Sequence, residues 1–164
     1  MKRLFVLLIA TLLLFPTMIK AAENDLNTEQ KALRSEIFSF LKEEGFSPEI
    51  DSDGDIKFRS EGNSYFVTIS AVDENPMYIT LYMPFLNPDE YSSDAIVMAT
   101  KALNKYKGVK VICFDTAFRI SAELYLRDSE LFKESFYKLK SQMDSVKSDF
   151  LEECKNIKAG SGSI

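Results

Sequence analysis

Residues 49 to 61 read EIDSDGDIKFRSE, and within this stretch Asp51, Asp53 and Asp55 surround Gly54 at a spacing close to that of a calcium loop. With Glu49 at the first position, Asp51 and Asp53 take positions three and five, Gly54 the turn position six, Asp55 position seven and Ile56 the apolar eighth. The pattern then fails. Position twelve is Ser60 where a bidentate carboxylate is needed, and Glu61 falls one residue late. The following residues alternate as IKFRS, in the manner of a strand, where a helix should complete such a site. Asp and Gly are also what a tight hairpin turn requires. The expectation is a turn that leads the chain into a sheet with its acids in water; a calcium-responsive domain built on Asp51, Asp53 and Asp55 is the alternative.

Other chemistry is constrained by what the chain lacks. It has no histidine, which removes Ser/His and Cys/His nucleophile activation, histidine ligation of zinc and the usual proton shuttle at neutral pH. Cys113 and Cys154 are too far apart in sequence for a CxxC motif. They are a candidate disulfide if the last helix covers that part of the sheet, and otherwise two small apolar residues. Gly-rich phosphate loops and the nucleophile elbow are missing as well. The 25 acidic residues leave a carboxylate-dependent enzyme as a second alternative. The leading expectation is a protein that is not an enzyme and carries no cofactor.

A binding surface is the stronger candidate. Val67, Ile69, Ile79 and Leu81 form the aliphatic side of successive strands, with Phe118, Ile120, Ala122 and Leu124 continuing it. The opposite side then holds Phe66, Thr68, Ser70, Tyr78, Thr80 and Tyr82, extended by Arg119, Ser121, Glu123, Tyr125 and Arg127. Tyrosine offers contact area at small entropic cost, so Phe66, Tyr78, Tyr82, Arg119 and Tyr125 are the candidate partner-binding residues. The competing reading is a solvent-facing sheet side of good strand formers with a charge ladder at Arg119, Glu123 and Arg127.

The elements that position these groups follow from periodicity. Lys2 and Arg3 precede the apolar run Leu4 to Phe15, and Ala21 and Ala22 follow it, the order of a secretory signal peptide over residues 1–22. As a helix that run would rise only about 18 Å against roughly 30 Å of hydrocarbon. Its removal would take away Lys2, Arg3 and Lys20 and shift the net charge from −5 to −8. Such acidity argues against unspecific binding to nucleic acid or to an anionic membrane surface. The expected location is the periplasm or cell envelope, with no membrane span once the signal is gone.

A linker at 23–27 leads to one domain at 28–157 and a flexible tail at 158–164. Leu33, Ile37, Phe40 and Leu41 predict a helix over 28–44 that starts at Thr28. Sequential strands with short turns follow as far as Phe85. A second helix is predicted over 88–107, opened by Asn87 and Pro88 and carrying Tyr91, Ala95, Met98, Ala102 and Tyr106 on its stripe. Val109–Asp115 and Ala117–Arg127 make a hairpin. Asp128 caps a long last helix with Phe132, Phe136, Leu139, Met143, Val146, Phe150 and Cys154 on one stripe, and its part from Phe150 onward is expected to overhang and meet a second subunit. The fold class is α+β, a single antiparallel sheet of five to six strands with helices packed on one face, in the order α-β-β-β(-β)-α-β-β-α.

This order, together with FLKEEGF (Phe40 to Phe46) before the acidic turn, DIKFRSEGNSYFVTI after it and VKVICFDTAFRISAELYL beyond the middle helix, resembles the YbjN-like family. Members of that family look like type III secretion chaperones in fold. The resemblance covers roughly Thr28 to Cys154. It implies a small, often dimeric, non-enzymatic binding or regulatory domain, here with an export signal, whose partner is a protein or a second copy of the chain.

Overall fold

Helix α1 (Thr28–Glu43) opens on a capping box in which the Asn27 side chain accepts from the Gln30 amide and the Gln30 side chain accepts from the Asn27 amide. Two of the amides that a helix start leaves unpaired are thereby satisfied. The helix starts at Thr28, as the sequence predicts, with Asn27 as its cap. The structure is a computed structural model that describes residues 26–86, 91–114 and 117–161; the segment expected to be a signal peptide and most of the expected linker lie outside the described residues.

After α1 the chain forms β1 (Glu49–Ile50), β2 (Ile56–Ser60), β3 (Asn63–Ile69) and β4 (Met77–Leu86). Helix α2 (Ser93–Ala102) passes into a short 3-10 turn, Leu103–Lys105, and is followed by β5 (Lys110–Cys113), β6 (Ala117–Leu126) and α3 (Glu130–Ser161). All neighbouring strands are antiparallel, in the order β1-β2-β3-β4-β6-β5. The fold is α+β with one six-stranded antiparallel sheet. The β2–β3 hairpin turns through Glu61 and Gly62, both at positive φ (51° and 80°), the paired left-handed geometry that a two-residue hairpin demands and that glycine adopts without strain.

Period-two alternation places Phe58, Tyr65, Val67, Leu81, Met83, Phe118 and Ile120 on one side of the sheet, all buried. Leu33, Ile37 and Leu41 of α1, Ala99 of α2 and the α3 stripe from Phe132 to Cys154 complete the same core. The stripe expected for α3 is buried throughout. Phe150 and Cys154, at the start of the part of α3 expected to overhang, are fully buried in the chain's own core: the Phe150 ring lies 4.7 Å from that of Phe118 and 6.1 Å from that of Phe85.

The boundaries of α2 and α3 depart from the sequence expectation, and α2 ends at Ala102, short of the expected 107. Helix α2 begins at Ser93, with the Ser92 hydroxyl accepting from the Ala95 amide, where a start at 88 was expected; Asn87 and Pro88 lie outside the described residues. Its buried stripe is Ala95, Ala99 and Leu103, and Met98 is exposed. A helix packed on both α3 and the sheet edge takes small residues at its closest approach, and the i, i+4 series of alanines won over the longer Met98. Helix α3 starts at Glu130, with Asp128 receiving the Glu130 amide. It continues to Ser161, through part of the stretch expected to be a tail, because an established helix adds one hydrogen bond for each residue it fixes.

Candidate functional site

The hairpin loop between β1 and β2 is built around Asp51. Its carboxylate accepts from the amides of Asp53 and Asp55, both at 3.0 Å, while its own amide donates to the Asp55 carbonyl and its carbonyl accepts from Gly54. Arg34 of α1 donates to the Gly54 carbonyl at 3.1 Å, which ties the loop to the first helix. The loop's acids diverge. Asp51 is spent on the turn, and Asp53 is exposed. Asp55 swings onto the sheet, where it accepts from the Thr68 hydroxyl at 2.7 Å and the Tyr82 hydroxyl at 3.2 Å. Among the described residues no group of three or more Cys, Asp or Glu side chains gathers in a way that could hold a metal ion.

The expectation that these acids stay in water is corrected at Asp55, which is half-buried. Burial pushes its carboxyl above the ordinary value, against the opposing pull of the Thr68 hydrogen bond. The same contact raises Tyr82 to about 12, through burial first and the Asp55 charge second. A carboxyl with a raised pKa binds more protons in the folded than in the unfolded chain, so its effect on stability becomes less favourable as pH rises through that range. Asp55→Asn keeps an acceptor for the two hydroxyls and removes the charge. We expect it to unfold at higher urea than the parent at pH 7, with the difference shrinking as pH falls through the raised folded value and gone below the ordinary aspartate pKa. A variant less stable than the parent at pH 7 would show that the charge is needed by the fold.

The face away from the helices gathers the five candidate partner-binding residues into two clusters. Phe66 stacks on Tyr82 across β3 and β4 with ring centroids 5.1 Å apart, and the Arg119 guanidinium lies 5.2 Å from the Tyr82 centroid. Tyr78 and Tyr125 pair across β4 and β6 at 5.2 Å. On β4 the two clusters are four residues apart, about 13 Å. Thr80 and Glu123, opposite one another in register, separate them. Tyr125 is 60% exposed, whereas Phe66, Tyr78, Tyr82 and Arg119 are half-buried by one another and by their cross-strand neighbours.

Charge on this face is largely internal. Lys57 binds Glu49 across β1 and β2 at 2.9 Å, and Lys110 binds Glu123 at 2.5 Å across β5 and β6. The Lys110 hydrogen bond holds the Glu123 carboxyl below the usual range. Beneath these groups Ser121, opposite both Tyr82 and Lys110, is 1% exposed, and its hydroxyl has no hydrogen-bond partner within the protein. The Arg119 Nε is buried and equally without one.

Sequence reasoning missed Phe114. It is 53% exposed and its ring centroid lies 5.7 Å from the Arg119 guanidinium, opposite the Tyr82 contact. The alternation of VKVICFD already puts Phe114 on the side opposite Val111 and Cys113, so the signal was present. The involvement of Asp55 had no such signal, because it depends on where the loop folds back.

Cys113 and Cys154 are free thiols, the first exposed and the second buried. Cys113 stands opposite Phe118, whose ring meets Phe150, one turn of α3 before Cys154. Both cysteines therefore lie on the helix side of the sheet. Burial, and then the neighbouring Cys113, push the Cys154 thiol up to about 11. Cys113 also touches the Thr100 hydroxyl of α2 at 3.9 Å.

Among the described residues no helix is long and apolar enough to cross a membrane. In comparisons with known proteins, no family model, curated protein or solved structure matches the chain.

Proposed function

We propose that the chain is a non-catalytic binding module, exported to the cell envelope or periplasm by its amino-terminal segment, that recognises a protein partner or a second copy of itself through the open sheet face. One observation carries the reading. All three helices are used on one side of the sheet, while the other side keeps two cross-strand aromatic clusters, an arginine between two rings and an exposed tyrosine. Aromatic and arginine side chains are those that interfaces enrich.

A non-catalytic role is supported by what the carboxylates of that face are doing. Glu49 and Glu123 are ion-paired, and Asp55 is held by two hydroxyls. The order of elements keeps the YbjN-like resemblance as part of the proposal, and with it a small non-enzymatic binding or regulatory domain.

The test places a photo-crosslinking residue at position 125 on the open face and, as a control, at 98 on the exposed side of α2, in the chain expressed with its own amino-terminal segment. We expect one discrete adduct from 125, with a named partner or a second copy, that is lost in Tyr78→Ser/Tyr82→Ser and absent from 98. If adduct formation and the mass in light scattering are unchanged in the double variant, the sheet-face reading is wrong.

A further inference from the structure

We propose that Arg119 is the anchor of the open face and that it recognises a carboxylate of an acidic, extended protein segment. The inference rests on the reading that this face binds a protein, and it specifies the chemistry of the partner. The guanidinium is held between two rings, 5.2 Å from the Tyr82 centroid and 5.7 Å from that of Phe114. Cation–π contacts of this kind hold the guanidinium beside the rings, and an arginine fork can grip a carboxylate bidentately. The Arg119 Nε and the hydroxyl of Ser121, two residues further along the same face, are buried, so the contact falls to the terminal nitrogens of the fork, and a carboxylate is the acceptor that a cationic donor prefers.

Charge decides the class of partner. The chain carries a net charge of −5, yet the ion pairs of this face consume Lys57 with Glu49 and Lys110 with Glu123. Among the described residues no ion pair engages Arg59 or Arg119. The two arginines belong to one row across the sheet: Arg59 is opposite Ser64 and Arg119 opposite Pro84, and the β3–β4 register, continued from Phe66 and Tyr82, sets Ser64 beside Pro84. Three strand spacings separate them, about 14 Å. Only Ser64 and Pro84 lie between the two cations in this row. An extended segment advances about 3.3 Å per residue, so acids four positions apart reach both ends. A polyanion such as nucleic acid fits less well, because Glu49, Asp55 and Glu123 frame the same face.

A blocked peptide Glu-Ser-Ser-Ser-Glu, with Gln-Ser-Ser-Ser-Gln as its neutral counterpart, is titrated into the 15N-labelled protein and followed by NMR. The glutamate peptide is expected to shift the Arg119 Nε–H and the amides of Ser64 and Ser121 saturably, the glutamine peptide to leave them in place, and added salt to weaken the effect. Arg119→Gln is expected to weaken binding at least tenfold and Arg59→Gln by less; Arg119→Lys, which keeps the charge without the fork, falls between. Equal shifts with both peptides, a flat titration, or unchanged binding in Arg119→Gln each overturn the anchor. So do shifts centred on the cleft of about 460 Å³ between the 3-10 turn and α3, where Lys105, Lys107 and Lys138 offer another basic surface. If Arg119→Gln retains the crosslink from position 125 while Tyr78→Ser/Tyr82→Ser loses it, the binding face stands and only the arginine anchor fails.

Discussion

Replacing Phe136 by alanine is expected to destabilise the protein by about 3 to 5 kcal/mol, the range for deleting a fully buried phenylalanine. The ring is completely buried on α3. It meets Phe40 of α1 at 5.5 Å, Phe46 of the link into β1 at 5.6 Å, Phe58 of β2 at 5.8 Å and Phe132 of its own helix at 5.6 Å. Four rings carried on different elements cannot all move into the space it leaves, so most of the void persists and its surface goes unpaired. The neighbouring Tyr137 is the control. It is 52% exposed and its hydroxyl donates to Glu44 at 2.6 Å, so Tyr137→Ala should cost no more than about 1 kcal/mol. Urea unfolding with an unchanged slope for both variants makes the comparison. Equal losses in the two would mean that the rings around Phe136 repack.

Asp144→Ala is the second large effect, expected at about 3 to 5 kcal/mol because it strands a buried charge. Asp144 on α3 accepts from the Tyr65 hydroxyl, from Asn63 Nδ2 at 3.2 Å and from Lys140 Nζ at 3.1 Å. Lys140 is 8% exposed, and its other acid, Glu61, is 3.8 Å away. Lys147 adds a 2.6 Å bond to the Asn63 side-chain oxygen. The cluster pins the β2–β3 turn to the middle of α3. Without Asp144 an ammonium ion and a tyrosine hydroxyl remain buried with little to hold them. Asp144→Ala/Lys140→Met should recover much of the loss, since removing both charges is far cheaper than removing one. If Asp144→Ala costs under about 1 kcal/mol, water reaches Lys140 and the cluster is not buried in solution.

The same cluster has a pH signature. Burial first, then the hydrogen bond and charge of Asp144, raise the Tyr65 hydroxyl above its ordinary value of 10.0. The folded chain therefore holds this proton where the unfolded chain has lost it. Its contribution is complete below pH 10 and declines as pH rises beyond it.

Much of the fold was legible because it rests on local rules. The alternation of strands β2 to β4 and β6 named the buried side correctly from Val67 to Leu81 and from Phe118 to Ala122, since neighbouring residues of a strand must face opposite ways. The α3 stripe was read to the last residue for the same reason, at a period of 3.6. The start of α1 at Thr28 follows from local sequence as well, because Asn27 and Gln30 carry a capping box. The start of α2 was less legible. Asn87-Pro88 and Ser92 are both sound start signals, and the helix begins at the one that sets Ala95, Ala99 and Leu103 against α3 and the sheet.

What the amino-acid sequence determined by itself is the period of each element, the polarity of its faces and the chemistry that histidine and paired cysteines would have allowed. These are properties of residues at short separation, and the physics that sets them acts along the chain. Tertiary structure decided where side chains far apart in sequence meet. It brought Asp55 onto Thr68 and Tyr82, 13 and 27 residues later, joined Asp144 to Tyr65, 79 residues earlier, and seated Arg119 between Tyr82 and Phe114. Burial and pairing depend on the dielectric and the partners that a fold assembles, and neither exists until the sheet and its helices have come together. The DSDGD loop shows the division within five residues: its turn was written in the local sequence, and the withdrawal of Asp55 from water was not.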